Sequence, residues 1–80
     1  MESTYSNAAA IRAFRVIEAV TQQPDGCTLA GLVERLALPK QTLHRLVEQL
    51  EMAGLLVREP GTRRLQAADR IERLAVDTLM

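Results

Sequence analysis

Lys40, Gln41, Thr42, His44 and Arg45 crowd into the stretch 40–45 with no carboxylate among them. Together they offer positive charge and hydrogen-bond donors. Nucleophilic chemistry would have to be drawn from Cys27, His44 and Glu48. Cys27 falls in a different segment from His44, and no glycine-rich or oxyanion-hole stretch accompanies them, so an enzyme is not expected. His44 is the sole histidine and Cys27 the sole cysteine. No disulfide can close within the chain, a metal would find no second ligand of either type, and no cofactor is expected. The remaining use for such a cluster is recognition of an anionic surface rich in acceptors. The major groove of double-stranded DNA is that kind of surface.

On that reading each residue has a task. Gln41 can bond an adenine edge in bidentate fashion, and Arg45 can take a guanine O6/N7 pair or, equally, a phosphate. Lys40 meets a phosphate, helped by the positive end of a helix. Thr42 favours phosphate over base, and His44 serves as a groove-facing hydrogen bonder. A second basic group, Arg58, Arg63 and Arg64, brackets the turn EPGT at 59–62 and is expected along the backbone or in the minor groove. Thr28 can cap a helix and also present a backbone N–H to a phosphate.

These residues need a frame. Leu43, Leu46, Val47 and Leu50 repeat at helical period, so residues 38–54 read as one helix with its basic residues off the apolar stripe. Pro39 suits the first helical position and Gly54 the left-handed residue past the end. Upstream, Thr28 precedes a short helix whose stripe is Leu29, Leu32, Val33 and Leu36. Only Ala37 and Leu38 separate it from Pro39. Two short helices on a tight turn, the second with the polar face, make a helix-turn-helix.

An earlier helix is expected from about Ala8, capped by Asn7 or Ser6, with Ile11, Phe14, Ile17 and Val20 at apolar spacing. Residues 1–7 read as a flexible lead-in, and QQPDG at 22–26 as a turn. Beyond Gly54 the runs 55–58 and 63–66 read as the two strands of a hairpin. Residues 67–80 read as a closing helix with Ile71, Leu74, Ala75 and Leu79 apolar. The fold class is therefore mostly α with a small β-hairpin wing: a three-helix core, a wing and a C-terminal linker helix.

In residues 38–66, LPKQTLHRLVEQLEMAGLLVREPGTRRLQ, the elements LPK, T-x-HRL, L-E-x-AGL and the RRL after the turn resemble the IclR family of bacterial transcription regulators. The resemblance runs over about residues 8–66. It implies a winged helix-turn-helix DNA-binding domain, with a recognition helix at 39–53 and a wing at 56–66. After residue 67 it implies a linker helix leading to a further, effector-binding domain absent from this chain. Gln41 stands where the family usually has a small hydroxyl residue, and the aromatic often found before Arg64 is missing.

Eighty residues make one domain, near the lower limit for an unaided core, with a single Tyr and a single Phe to fill it. Net charge is zero. The distribution is not even: residues 40–64 hold five basic side chains against three acidic, and the flanking stretches are each slightly acidic. Local charge, not the total, decides affinity for nucleic acid. About five contacts per chain are too few for tight site-specific binding, so a homodimer on a pseudo-palindromic operator is expected, with the Ala-rich first helix or the last helix as its seam. No apolar run approaches a membrane span and no signal peptide is discernible, so the expected location is cytoplasmic. The rival reading is a winged helix used for protein–protein contact, which the neutral total and Glu48 and Glu51 would suit. Double-stranded RNA fits worse, because its narrow major groove excludes a helix.

Overall fold

A computed structural model describes residues 4–71 and 73–74, with side chains placed from Ala8 onward. Three helices come first, α1 (Thr4–Thr21), α2 (Leu29–Leu36) and α3 (Lys40–Met52), followed by strands β1 (Leu56–Arg58) and β2 (Leu65–Ala67). The strands pair antiparallel, Leu56 with Ala67, Val57 with Gln66 and Arg58 with Leu65. This is a winged helix-turn-helix. The backbone is helical again at 69–71 and 73–74. Of the expected stripe on that last helix, Ala75 and Leu79 lie outside the described residues.

The core is aliphatic. Val16, Ala19 and Val20 of α1 meet Leu32 of α2, Leu43, Val47 and Leu50 of α3, Leu56 of β1 and Leu65 of β2. Each fully buried Val or Leu contributes roughly 1.5–3 kcal/mol of transfer free energy. On α1 the buried stripe keeps Ile17 and Val20 of the expected set but not Ile11 and Phe14. Ala13, Val16, Ile17 and Val20 face inward, while Ile11 and Phe14 are 58% and 63% exposed. With so many alanines available, the helix seats its smaller side chains against α2 and α3 and turns its one phenylalanine outward. α1 also begins at Thr4, not near Ala8, so Ser6 and Asn7 lie within the helix. No Gly or Pro stands there to stop it.

Two turns set how α3 is held. Thr28 caps α2, its Oγ1 accepting from the Gly31 N–H at 3.1 Å. α2 ends at Ala37 in the left-handed region (φ 54°, ψ 36°), whose N–H donates to the Val33 carbonyl. Pro39 is the N-cap of α3 and not its first helical residue: its ψ of 140° is extended, and its carbonyl accepts the first helical bond from Leu43. At the other end Gly54 takes φ 76°. Its N–H donates to the Glu51 carbonyl, and the Leu55 N–H to the Leu50 carbonyl. That pair of bonds is a Schellman close, which folds Leu55 back onto the core and launches β1.

A third short strand segment escapes the sequence. Cys27 forms an antiparallel bridge with Leu65, its N–H donating to the Leu65 carbonyl at 3.0 Å and its carbonyl accepting from Leu65 at 2.7 Å. Gly26 makes this approach possible. It sits at φ 82°, and a Cβ there would lie 3.0 Å from the Leu65 carbonyl oxygen. The start of α2 is thereby tied directly to the wing.

Candidate nucleic-acid interface

On α3 the sequence writes two stripes two residues apart, about 200° around the helix. Leu43, Val47 and Leu50 are buried, with Leu46 partly so. On the opposite side Lys40, Gln41, His44 and Arg45 are exposed and, with Glu48, line one open depression. Thr42 is half-buried and does not line it. Among the described residues Lys40, Gln41 and Arg45 make no side-chain hydrogen bond or ion pair. His44 has one polar neighbour, Glu48, with Nδ1 3.9 Å from a carboxylate oxygen. The structure thus brings four of the five cluster residues, Lys40, Gln41, His44 and Arg45, onto one open face of a helix seated by its leucines and Val47.

The wing cations are arranged differently. Strand β2 starts at Leu65, so Arg63 and Arg64 belong to the loop and not to the strand expected at 63–66. The cause is the loop's own bonding. Arg63 turns left-handed at φ 60° and donates its N–H to the Glu59 carbonyl, while Glu59 donates its N–H to the Arg64 carbonyl. The Glu59 carboxylate accepts from the Thr62 hydroxyl at 3.1 Å and from Gln66 Nε2 at 3.2 Å, pinning the loop from within. Arg64 reaches across to donate to the Gly26 carbonyl at 3.3 Å. Arg58 is half-buried and ion-paired to Glu51 at 3.0 Å, so it braces β1 on α3. Ala67, expected to open the last helix, is the end of β2 and pairs with Leu56.

Thr28 is exposed beside this loop, and Gly26, Cys27, Thr28, Arg35 and Arg64 share a small cleft. Burial pushes the Cys27 thiol above its ordinary value, partly offset by the nearby Arg35 and Arg64 guanidinium groups. A thiol shifted that way is a poor nucleophile. Among the described residues no group of three or more His, Cys, Asp or Glu side chains could hold a metal ion. No described helix is long and apolar enough to cross a membrane. Arg35 in the cleft and Glu59 as the wing's internal anchor are the residues that sequence reading missed. Arg35 sits one helical turn beyond Gly31 on the Thr28 face, a signal that helix periodicity could have yielded.

The profile of the IclR helix-turn-helix domain matches residues 9–60. The chain belongs to the IclR helix-turn-helix family. Its match runs from α1 into the wing loop, and so includes the whole of α3. A probable transcriptional regulator, SauR, of Cupriavidus necator is 44% identical over 98% of this chain and 31% of its own length. An uncharacterised helix-turn-helix regulator of Haemophilus influenzae is 40% identical over 66% of the chain and 20% of its own. The DNA-binding transcriptional repressor YiaJ of Escherichia coli is 38% identical over 62% and 18%. The chain therefore spans less than a third of the length of these regulators. No solved structure matches it.

Proposed function

We propose that this chain is the DNA-binding part of a transcription regulator and that it reads duplex DNA in a sequence-specific way. α3 enters the major groove by its first two turns, where Gln41, His44 and Arg45 meet base edges and Lys40 and Thr42 meet phosphates. Arg63 and Arg64 follow the backbone or enter the adjoining minor groove, and the N-terminus of α2 at Thr28 faces a phosphate. Arg58 belongs to the frame in this scheme, because its guanidinium is spent on Glu51. The observation that carries the reading is the two-sidedness of α3: donors and cations on an open face, with fully buried Leu43 and Val47 directly behind. The regulators of the same family point the same way by name.

The binding unit is a homodimer on a pseudo-palindromic operator. Exposed Ile11 and Phe14 on the outer face of α1 supply an apolar seam. A small-molecule effector acts only through a domain absent from this chain. The test is binding of random duplex across a salt series. With Lys40, Arg63 and Arg64 on phosphates, about six are neutralised per dimer, and log K falls against log salt with a slope near −5. A slope shallower than about −2 would show that the basic face is not the binding face. The zero net charge favours one other reading, a protein-docking winged helix. Absence of any duplex binding at low salt would select it.

A further inference from the structure

Two glutamates of α3 are treated in opposite ways. Glu51 is half-buried and neutralised by Arg58 at 3.0 Å. Glu48 is 61% exposed and, among the described residues, makes no hydrogen bond; the His44 imidazole lies 3.9 Å away, too far for one. It also stands in the outward stripe itself, seven residues after Gln41 and three after Arg45. Seven helical residues advance about 10 Å, roughly three base-pair steps. A carboxylate there costs affinity for any duplex unless it finds a donor.

Donors are scarce on that surface. An ionised carboxylate only accepts hydrogen bonds, and in the major groove the exocyclic amines of cytosine (N4) and adenine (N6) are the only donors. Adenine N6 has an acceptor on each side, its own N7 and the O4 of the paired thymine. Cytosine N4 has one only, the O6 of its paired guanine, and a C–H on the other flank. The second carboxylate oxygen is therefore repelled less at cytosine.

We propose that Glu48 is a specificity-determining residue that accepts a hydrogen bond from a cytosine 4-amino group, one per half-site, and repels the other bases at that step. This rests on the DNA-binding reading above. It extends the contact proposed above from the first two turns of α3 to Glu48 at the start of the third, a turn that charge alone would hold off the DNA.

The experiment is selection of binding sites from random duplexes by the chain and by its Glu48→Ala and Glu48→Gln variants. The wild-type chain is expected to enrich cytosine at one fixed position of each half-site. Glu48→Ala should randomise that position only and bind unselected duplex more tightly, while Glu48→Gln should move the preference toward adenine. Replacing the selected cytosine by 2-pyrimidinone, which lacks the 4-amino group, should weaken wild-type binding about tenfold and Glu48→Ala binding by less than about twofold. If Glu48→Ala selects the same sites as wild type, or tightens on all duplexes with its base preference intact, Glu48 is a repulsive charge and no reader. If the wild-type chain selects no duplex, the DNA-binding reading falls first, and this one with it.

Discussion

α3 and the wing carry the two basic groups of this domain, and they hold them in opposite fashions. α3 fixes its backbone from behind, through Leu43, Val47 and Leu50, and leaves Lys40, Gln41 and Arg45 without side-chain partners among the described residues. The wing has only Leu56 and Leu65 to seat two three-residue strands. Two such strands are marginal alone, so the wing recruits polar side chains as structure: Arg58 on Glu51, Arg64 on the Gly26 carbonyl, Glu59 on Thr62 and Gln66. Where packing supplies rigidity, polar side chains are at liberty to read. Where it does not, the same residue types are partly consumed in holding the loop.

The largest effect expected from this difference is at Leu43, which is completely buried. Leu43→Ala should cost roughly 2–5 kcal/mol of folding free energy, measured as a shift in the urea midpoint. In a domain of this size that is most of the total. A loss below about 1 kcal/mol would mean that α3 is not clamped by its leucines, and the contrast with the wing would collapse. Gly26→Ala comes next. It puts a side chain at φ 82° and 3.0 Å from the Leu65 carbonyl, with an expected cost of about 2 kcal/mol or more. Because Gly26 aligns Cys27 with β2, amide exchange at Leu65 should rise before exchange within α3.

Much of this was legible in advance, and the parts that were not share a cause. The period of Leu43, Leu46, Val47 and Leu50, the cap at Thr28 and the stop at Gly54 are local rules, each satisfied within a few residues, and all three hold in the fold. The α1 stripe held at Ile17 and Val20 and failed at Ile11 and Phe14, because alanine gives little contrast. Apolar spacing alone cannot rank Ile11 and Phe14 against Ala13 and Val16 when both faces are greasy. The Cys27 bridge, the hold of Arg64 on Gly26 and the pairing of Arg58 with Glu51 join residues distant in sequence or in different elements. No periodicity encodes them. The two-faced layout of α3 was therefore easier to read than the internal bonding of the wing.

Two substitutions separate liberty from restraint at the proposed binding surface. Arg45→Ala should leave stability within about 0.5 kcal/mol of wild type, and relax preference at one base pair per half-site by roughly 1–3 kcal/mol. Arg64→Ala should weaken all duplexes alike and also lower the urea midpoint, since it removes the bond to Gly26. Site selection and denaturation on both variants check this. Equal losses across every sequence for both would show that Arg45 sits on a phosphate.

The smallest effect is the most discriminating. Each region contains one non-glycine residue in the left-handed region, Ala37 at the turn before α3 and Arg63 in the wing loop. Such a backbone costs a side-chain-bearing residue roughly 1–2 kcal/mol, part of which glycine recovers at the expense of a freer unfolded chain. Ala37→Gly should therefore stabilise the domain by up to about 1 kcal/mol and leave DNA affinity unchanged, because Ala37 offers no donor and no charge. Arg63→Gly relieves the same backbone. If Arg63 tracks phosphates, the variant must gain stability while losing affinity for every duplex, and its salt slope must become shallower by about 1 per chain. A gain in stability with no change in slope would leave Arg63 as a loop residue whose strain has no counterpart in binding. The wing would then be a brace for α3 and no second point of contact.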